Sequence, residues 1–264
     1  MPFVKHNNSR IYYEVHGSGQ PLVFVHPPVM GHLTFRSQQP LSEHYQLIYI
    51  DLFNSGKSSH HVSENEVEVA YLAETIEAVL TKLTIQSAII CGYSNGCSVA
   101  IEFALTYSHK TDGLILLSGF PEVSTFFLDR EFQVGIWAAK KEWMSLFAYV
   151  LTKNHFRSKR EQDEMARWIK RADPHSLKEM YEAGKRYAAT ERLKQLTMPI
   201  LVIYGKRDLF SAPYMIHFLQ EIKEIEVVLV SKVAHQVPTR TPNECNTIIH
   251  QWIKRHIGKR LRHN

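Results

Sequence analysis

Six short apolar runs punctuate the chain: PLVFV (21–25), QLIYI (46–50), SAIIC (87–91), GLILL (113–117), PILVIY (199–204) and IEVVLV (225–230). Their apolar residues are mostly consecutive, not alternating, and many are β-branched. That pattern predicts strands covered on both faces, as in a parallel sheet flanked by helices. Ahead of them, FVKH (3–6) and RIYYEVHG (10–17) predict a hairpin around the NNS turn at 7–9. Between the runs the period changes to that of a helix. Ser63 and Glu66 match a capping box, and Val67, Tyr71, Leu72, Ile76, Val79, Leu80 and Leu83 follow at helical spacing. Residues 95–107 and 243–257 read the same way, the second with Ile248, Ile249, Trp252 and Ile253 as its inner stripe. Strands alternating with helices after a hairpin predict a mixed α/β sheet, mostly parallel.

One interval breaks the alternation. Residues 120–197 hold no convincing core strand but several helical patterns, at about 129–151, 159–171 and 175–195. This predicts an all-helical lid over residues 120–197, inserted into an α/β core built from residues 1–119 and 198–264. Ligands of such sheets collect beyond the C-terminal strand ends, where an insertion forms a roof. Phe126, Phe127, Phe132, Trp137, Trp143, Phe147, Tyr149 and Trp168 make that roof aromatic. Most of them are expected in the lid's own core, and a minority on a pocket wall.

Composition narrows the class. At 264 residues, with 44% hydrophobic and 22% charged residues, the chain is an ordinary globule. The formal charge of +5 is local: Lys254, Arg255, Lys259, Arg260 and Arg262 account for it, with no interleaved aromatics to stack bases. No nucleic-acid partner is expected. Cys91, Cys97 and Cys245 lack disulfide or zinc spacing and read as buried small side chains in a reducing compartment. Neither a signal peptide nor an apolar run of membrane-span length is visible, so the expected location is the cytoplasm.

The candidate chemistry sits at strand ends. GYSNG (92–96) places Ser94 between two glycines where a strand gives way to a helix. A strand–serine–helix junction exposes the hydroxyl beside a helix N-terminus, whose free N–H groups can stabilise negative charge. Its plain alternative is a glycine-rich turn. A serine nucleophile needs a base, and the base needs orientation. Asp208 follows one apolar run and His235 follows the next, so both are expected at the same sheet edge as Ser94, with His26 and Asp51. Asp208 as a turn former and His235 as one of 15 histidines are the alternatives. Together, at matching strand ends, the three point to a triad in the order Ser, Asp, His.

With GYSNG, GKRDLFSAP, AHQVP and DLFNSGKSS in these places, the chain resembles α/β-hydrolase-fold proteins over nearly its full length. The resemblance implies Ser94 as nucleophile, Asp208 as the triad acid, His235 as the base and 120–197 as the lid. Asp51 and Ser58 are expected to brace a loop. It also exposes a departure. Where relatives commonly have HG and then an oxyanion-hole donor, this chain has HPPVMGH (26–32), with Pro28 at the donor position. Proline has no N–H, and one missing donor costs roughly 10²–10³ in rate. Either the loop shifts so that the Val29 N–H joins that of Asn95, or a side chain or water helps, or no oxyanion is stabilised. His26, Pro27, Pro28 and Tyr93 are the expected pocket residues. The resemblance implies hydrolysis of a small, largely apolar ester or thioester with no cofactor or metal. C–C bond hydrolysis, cofactor-free peroxidase-like chemistry and non-catalytic ligand binding stay open beside it.

Overall fold

The computed structural model describes residues 2–6, 9–59 and 66–257. The tip of the expected hairpin turn (residues 7 and 8), Ser63 of the expected capping box, and Lys259, Arg260 and Arg262 lie outside the described residues.

Eight strands among the described residues form one sheet: β1 (Phe3–His6), β2 (Ser9–His16), β3 (Gln20–Val25), β4 (Tyr45–Ile50), β5 (Ala88–Tyr93), β6 (Thr111–Leu117), β7 (Ile200–Gly205) and β8 (Ile225–Val230). Their order is β1-β2-β4-β3-β5-β6-β7-β8. β2 pairs antiparallel with β1 and β4, and every other pairing is parallel. The consecutive apolar residues of each run divide between two cores, as a two-sided sheet requires. Val23, Val25, Ile48, Ile50, Ile90, Leu114 and Val202 face α1 (Val69–Lys82) and α2 (Gly96–Thr106). Leu22, Phe24, Leu47, Tyr49, Ile89, Ile115 and Leu201 face the other way, where Ile249, Trp252 and Ile253 of the last helix pack.

Between β6 and β7 come α3 (Phe126–Lys140), α4 (Met144–His155), α5 (Lys159–Ile169) and α6 (Pro174–Arg186). They have a small core of their own, in which Ala148, Met165, Ile169 and Leu177 close on Val29 and Met30 of the core loop. The C-terminal part adds α7 (Met215–Glu221), the four-residue α8 (Val237–Arg240) and α9 (Pro242–His256).

Several expectations are corrected. The helix expected over 129–151 is two helices, because Glu142 takes a left-handed conformation (φ 55°) that ends α3 and turns the chain into α4. The helix expected over 175–195 stops at Arg186, where Tyr187 is extended (ψ 133°) and Ala188 bridges to Glu122; only a 3₁₀ turn, Thr190–Gln195, follows. Helix α1 starts at Val69, after an extended Glu68 without a side-chain cap. IEVVLV is the sheet's outer strand and only half-covered, with Leu229 exposed. The kinked 3₁₀ segment His32–Glu43, which contains Pro40, has no counterpart in the periodicity.

The crossing of β3 and α2 sets how close the sheet and the first site helix can come. A Cβ on Gly96 would lie 2.3 Å from the Val25 carbonyl oxygen and 2.8 Å from that of His26. Gly96→Ala is therefore expected to destabilise the fold by about 3 kcal/mol, read as a lowered urea midpoint; a midpoint equal to wild type would contradict this packing.

Candidate active site

Parallel strands deliver their C-terminal ends to one edge of the sheet, and three loops bring functional side chains there. Ser94 follows β5, Asp208 follows β7 and His235 follows β8. Ser94 stands in the left-handed region (φ 54°), with its N–H bonded to the Leu117 carbonyl and its own carbonyl accepting from Cys97 N. Only Asn95 separates it from α2. The flanking residues must be small because a Cβ on Gly92 would lie 2.7 Å from the Cys97 Cα, and Gly96 is pressed on β3 as described.

The His235 Nε2 lies 2.8 Å from the Ser94 Oγ, and its Nδ1 lies 2.9 Å from the Asp208 Oδ2. Asp208 is held in a tight turn: Oδ1 accepts from the N–H groups of Phe210 and Ser211, both at 3.0 Å, and Oδ2 from the Ser211 hydroxyl. The Ser118 hydroxyl fixes the His235 carbonyl at 2.9 Å. Burial pushes the Asp208 carboxyl up, but the bonds from His235 and Ser211 outweigh it and hold it at about 2. Burial pushes His235 down, and the bond to Asp208, its charge and that of Glu131 more than reverse this, so the imidazole sits above its ordinary value.

The loop after β3 resolves as a β-turn. Met30 N–H donates to the Pro27 carbonyl at 3.4 Å and to that of Pro28 at 2.9 Å, and Val29 has φ 59°. The shorter of the two bonds spans only two residues and closes a three-residue turn centred on Val29, whose positive φ is normally taken by glycine. The turn engages the Met30 N–H and leaves that of Val29 out of its hydrogen bonding. Among the described residues, neither the Val29 nor the Asn95 backbone N–H has a protein acceptor.

His26, expected in the pocket, is fully buried beneath it: Nδ1 donates to the Pro27 carbonyl at 2.7 Å and Nε2 accepts from Leu52 N–H at 2.9 Å. It shapes the loop and does not border the recess. Asp51, with no solvent contact, accepts from His32 N and Nδ1 and from Lys57 N, while the Ser58 hydroxyl donates to its carbonyl. These are bracing bonds between neighbouring loops.

A small recess of about 50 Å³, partly open to solvent, holds Ser94 and His235 together with Pro27, Pro28, Tyr93 and Asn95. The lid closes it with Leu128, Glu131, Phe132, Leu151, His155 and Tyr181. Of the eight lid aromatics that the sequence singled out, Phe132 lines the recess, while Phe126, Phe127, Trp137, Trp143 and Tyr149 are exposed and not in the lid's core as expected; Glu131, His155 and Ser211 were not singled out. Ser211 was the most legible, since Asp-x-x-Ser is a turn-forming spacing; a lid Glu or His has no comparable signal. A second recess, of about 270 Å³ between α1, α2 and α6, is bordered by Glu102, Arg186 and Arg192 and touches none of Ser94, Asp208 and His235. The three cysteines are free and buried. Among the described residues, no His, Cys, Asp and Glu cluster suits a metal ion, and no helix is long and apolar enough to cross a membrane.

Comparison with known proteins agrees with this architecture. A pimeloyl-[acyl-carrier protein] methyl ester esterase of Nitrosospira multiformis is 23% identical, over 85% of this chain and 91% of its own. An esterase from Exiguobacterium antarcticum superposes with a TM-score of 0.86 at 19% identity, covering 96% of this chain and 98% of that one. The enol-lactonase of Burkholderia xenovorans LB400 gives 0.85 at 16% identity, over 96% and 100%. At such identities the structural likeness speaks for the fold. The family model described as the alpha/beta hydrolase fold matches residues 20–166, more than half of the chain. By that match the chain belongs to the alpha/beta hydrolase fold family.

Proposed function

We propose that the chain is a serine hydrolase that cleaves small, largely apolar carboxylic esters or thioesters through an acyl-enzyme. The observation that carries this reading is the continuous relay from the Ser94 Oγ through both nitrogens of His235 to Asp208, at 2.8 and 2.9 Å. A serine in a hydrogen bond to a neutral imidazole loses its proton as it attacks, and a carboxylate on the far nitrogen fixes the tautomer and stabilises the imidazolium. Ser94 forms a bond to the carbonyl carbon while its proton passes to His235. The tetrahedral oxyanion accepts from the N–H groups of Asn95 and Val29. His235 returns the proton to the leaving oxygen or sulfur as that bond breaks. Water, deprotonated by His235, then releases the acid and restores Ser94.

Two features support the ester reading beyond the relay. The recess walls are mainly apolar, with Met30, Phe120, Leu128, Phe132 and Leu151 around Ser94. The similar Nitrosospira multiformis protein is named for methyl ester hydrolysis. Serine at the elbow favours acyl transfer over alkyl-enzyme chemistry.

Fluorophosphonate treatment is expected to add one label per chain by intact mass, and Ser94→Ala to abolish it; an unlabelled, folded wild type would sink the proposal. Replacing the Val29 amide by its α-hydroxy-acid ester deletes one N–H and no side chain. It is expected to lower kcat by roughly 10²–10³; an unchanged kcat removes Val29 from the oxyanion site. For pH, His235 must be neutral to act and sits above 6.5. Activity is thus present above that raised pKa and lost as pH falls through it, and kcat/KM should show an acid limb centred above 6.5. Asp208→Asn removes the main raising influence, so the limb should move to lower pH while kcat falls on the order of 10⁴-fold.

A further inference from the structure

The turn that holds Asp208 contains a hydroxyl that the turn itself does not need. Asp208 Oδ1 accepts from the backbone N–H groups of Phe210 and Ser211, both at 3.0 Å, and these two bonds close the turn whatever side chain stands at 211. The Ser211 hydroxyl goes elsewhere. It donates to Oδ2, the oxygen that meets His235 Nδ1 at 2.9 Å, and it lies 3.3 Å from that nitrogen itself. Nor does it act as a serine in this position commonly does. Ser211 precedes the 3₁₀ turn Ala212–Tyr214, yet its side chain caps no N–H there. The residue is fully buried. A hydroxyl with neither task thus ends on the one carboxylate oxygen that the relay uses.

The other groups around the pair leave this bond in control of its charge. Lys206 and Arg207, beside Asp208, are exposed. On the lid side Glu131 of α3 adds a negative charge, and burial holds His155 of α4 at about 3, neutral at ordinary pH. The Tyr93 ring packs near the imidazole, 5.6 Å between ring centres, and burial keeps its hydroxyl neutral. Arg240 of α8 is bound to the carbonyls of Lys153 and Asn154. Each donor to a carboxylate oxygen stabilises the negative charge and leaves less of it for the next. Two side chains reach Oδ2, the Ser211 hydroxyl and the His235 ring, so what the first takes the second does not receive.

We infer that Ser211 is a positioning residue of the relay: its hydroxyl pins Oδ2 against the His235 Nδ1 and takes a share of the carboxylate's charge, which lowers the pH at which His235 becomes a free base. This rests on the proposed hydrolase reading and adds to it the group that sets its working pH. Without the hydroxyl the buried charge is left to the imidazole alone. The imidazolium is then favoured, and His235 needs a higher pH to serve as base. The direction is opposite to that of Asp208→Asn, which removes the charge itself.

The test is the pH profile of kcat/KM on 4-nitrophenyl butanoate. Ser211→Ala is expected to move the acid limb up by roughly half a pH unit, and Ser211→Thr, which restores a hydroxyl, to return it towards the wild-type position. Ser118→Ala removes a bond to the His235 carbonyl, not to the carboxylate, and should leave the limb in place. A limb that Ser211→Ala leaves unmoved or shifts down, or that Ser118→Ala shifts as far, overturns the inference. Ser211→Gly also keeps both N–H groups and is used if Ser211→Ala does not fold. If circular dichroism shows both unfolded, the hydroxyl serves the fold and the inference is overturned. NMR titration of the His235 ring, identified by its absence from His235→Gln, reads the same shift without substrate. If the ester is not hydrolysed, the hydrolase reading fails while this titration still decides the role of Ser211; equal titration in wild type and Ser211→Ala overturns it.

Discussion

The site depends on one reversal of the chain. Strand β5 ends at Tyr93 and helix α2 begins at Gly96, so two residues turn the backbone from one direction to nearly the opposite. A left-handed serine at that corner costs on the order of 1 kcal/mol or more. It persists because its N–H is tied to β6 and because Gly92 and Gly96 let helix and sheet approach to distances that a Cβ would forbid. The hydroxyl is thereby raised above the strand ends, at the level where the loops after β7 and β8 arrive. Asp208 and His235 lie 114 and 141 positions further along the chain, and a parallel sheet is what brings such distant segments to one rim.

A second strained position mirrors the first across the recess. Val29 is β-branched, a poor residue for positive φ, and Pro28 before it suits the turn but lacks an N–H. The side chain of Val29 is buried among lid residues, with Ala148, Met165, Ile169 and Leu177 in the same core. Lid packing and the conformation of the Pro27–Met30 turn are therefore one construction. Below, Asp51 and the neutral His26 tie that loop to residues 51–58, so it is gripped from above and beneath.

Much of this was legible because it follows from periodicity and strand ends. Runs such as LVFV and LVIY can only be buried on both sides, and the structure divides alternate residues of each between two cores. Ser94, Asp208 and His235 each follow such a run, so their meeting depends on topology alone. Local backbone choices were harder to read. Glu142 breaks a periodic stretch with no glycine or proline to announce it, and β8 looked central because apolar runs do not say which strand lies outermost. His26 has a strand-end position like the others, yet the turn at Pro27 and Pro28 folds over it and buries it. Lid contributions to the recess depend on how four helices pack, which no one-dimensional pattern encodes.

The lid's entry and exit are stitched to each other. The Ala189 N–H donates to the Pro121 carbonyl at 3.0 Å, Glu122 bridges to Ala188, and Thr190 reaches Glu122 through its hydroxyl at 2.7 Å. From the core side, the Tyr214 hydroxyl accepts from the N–H groups of Ser124 and Thr125, both at 2.8 Å. An insertion whose two ends meet at a common seam leaves the spacing of β6 and β7 independent of how many residues lie between them. Its length and helical content are then free to drift or be exchanged, by recombination or by grafting, while the scaffold beneath keeps its register.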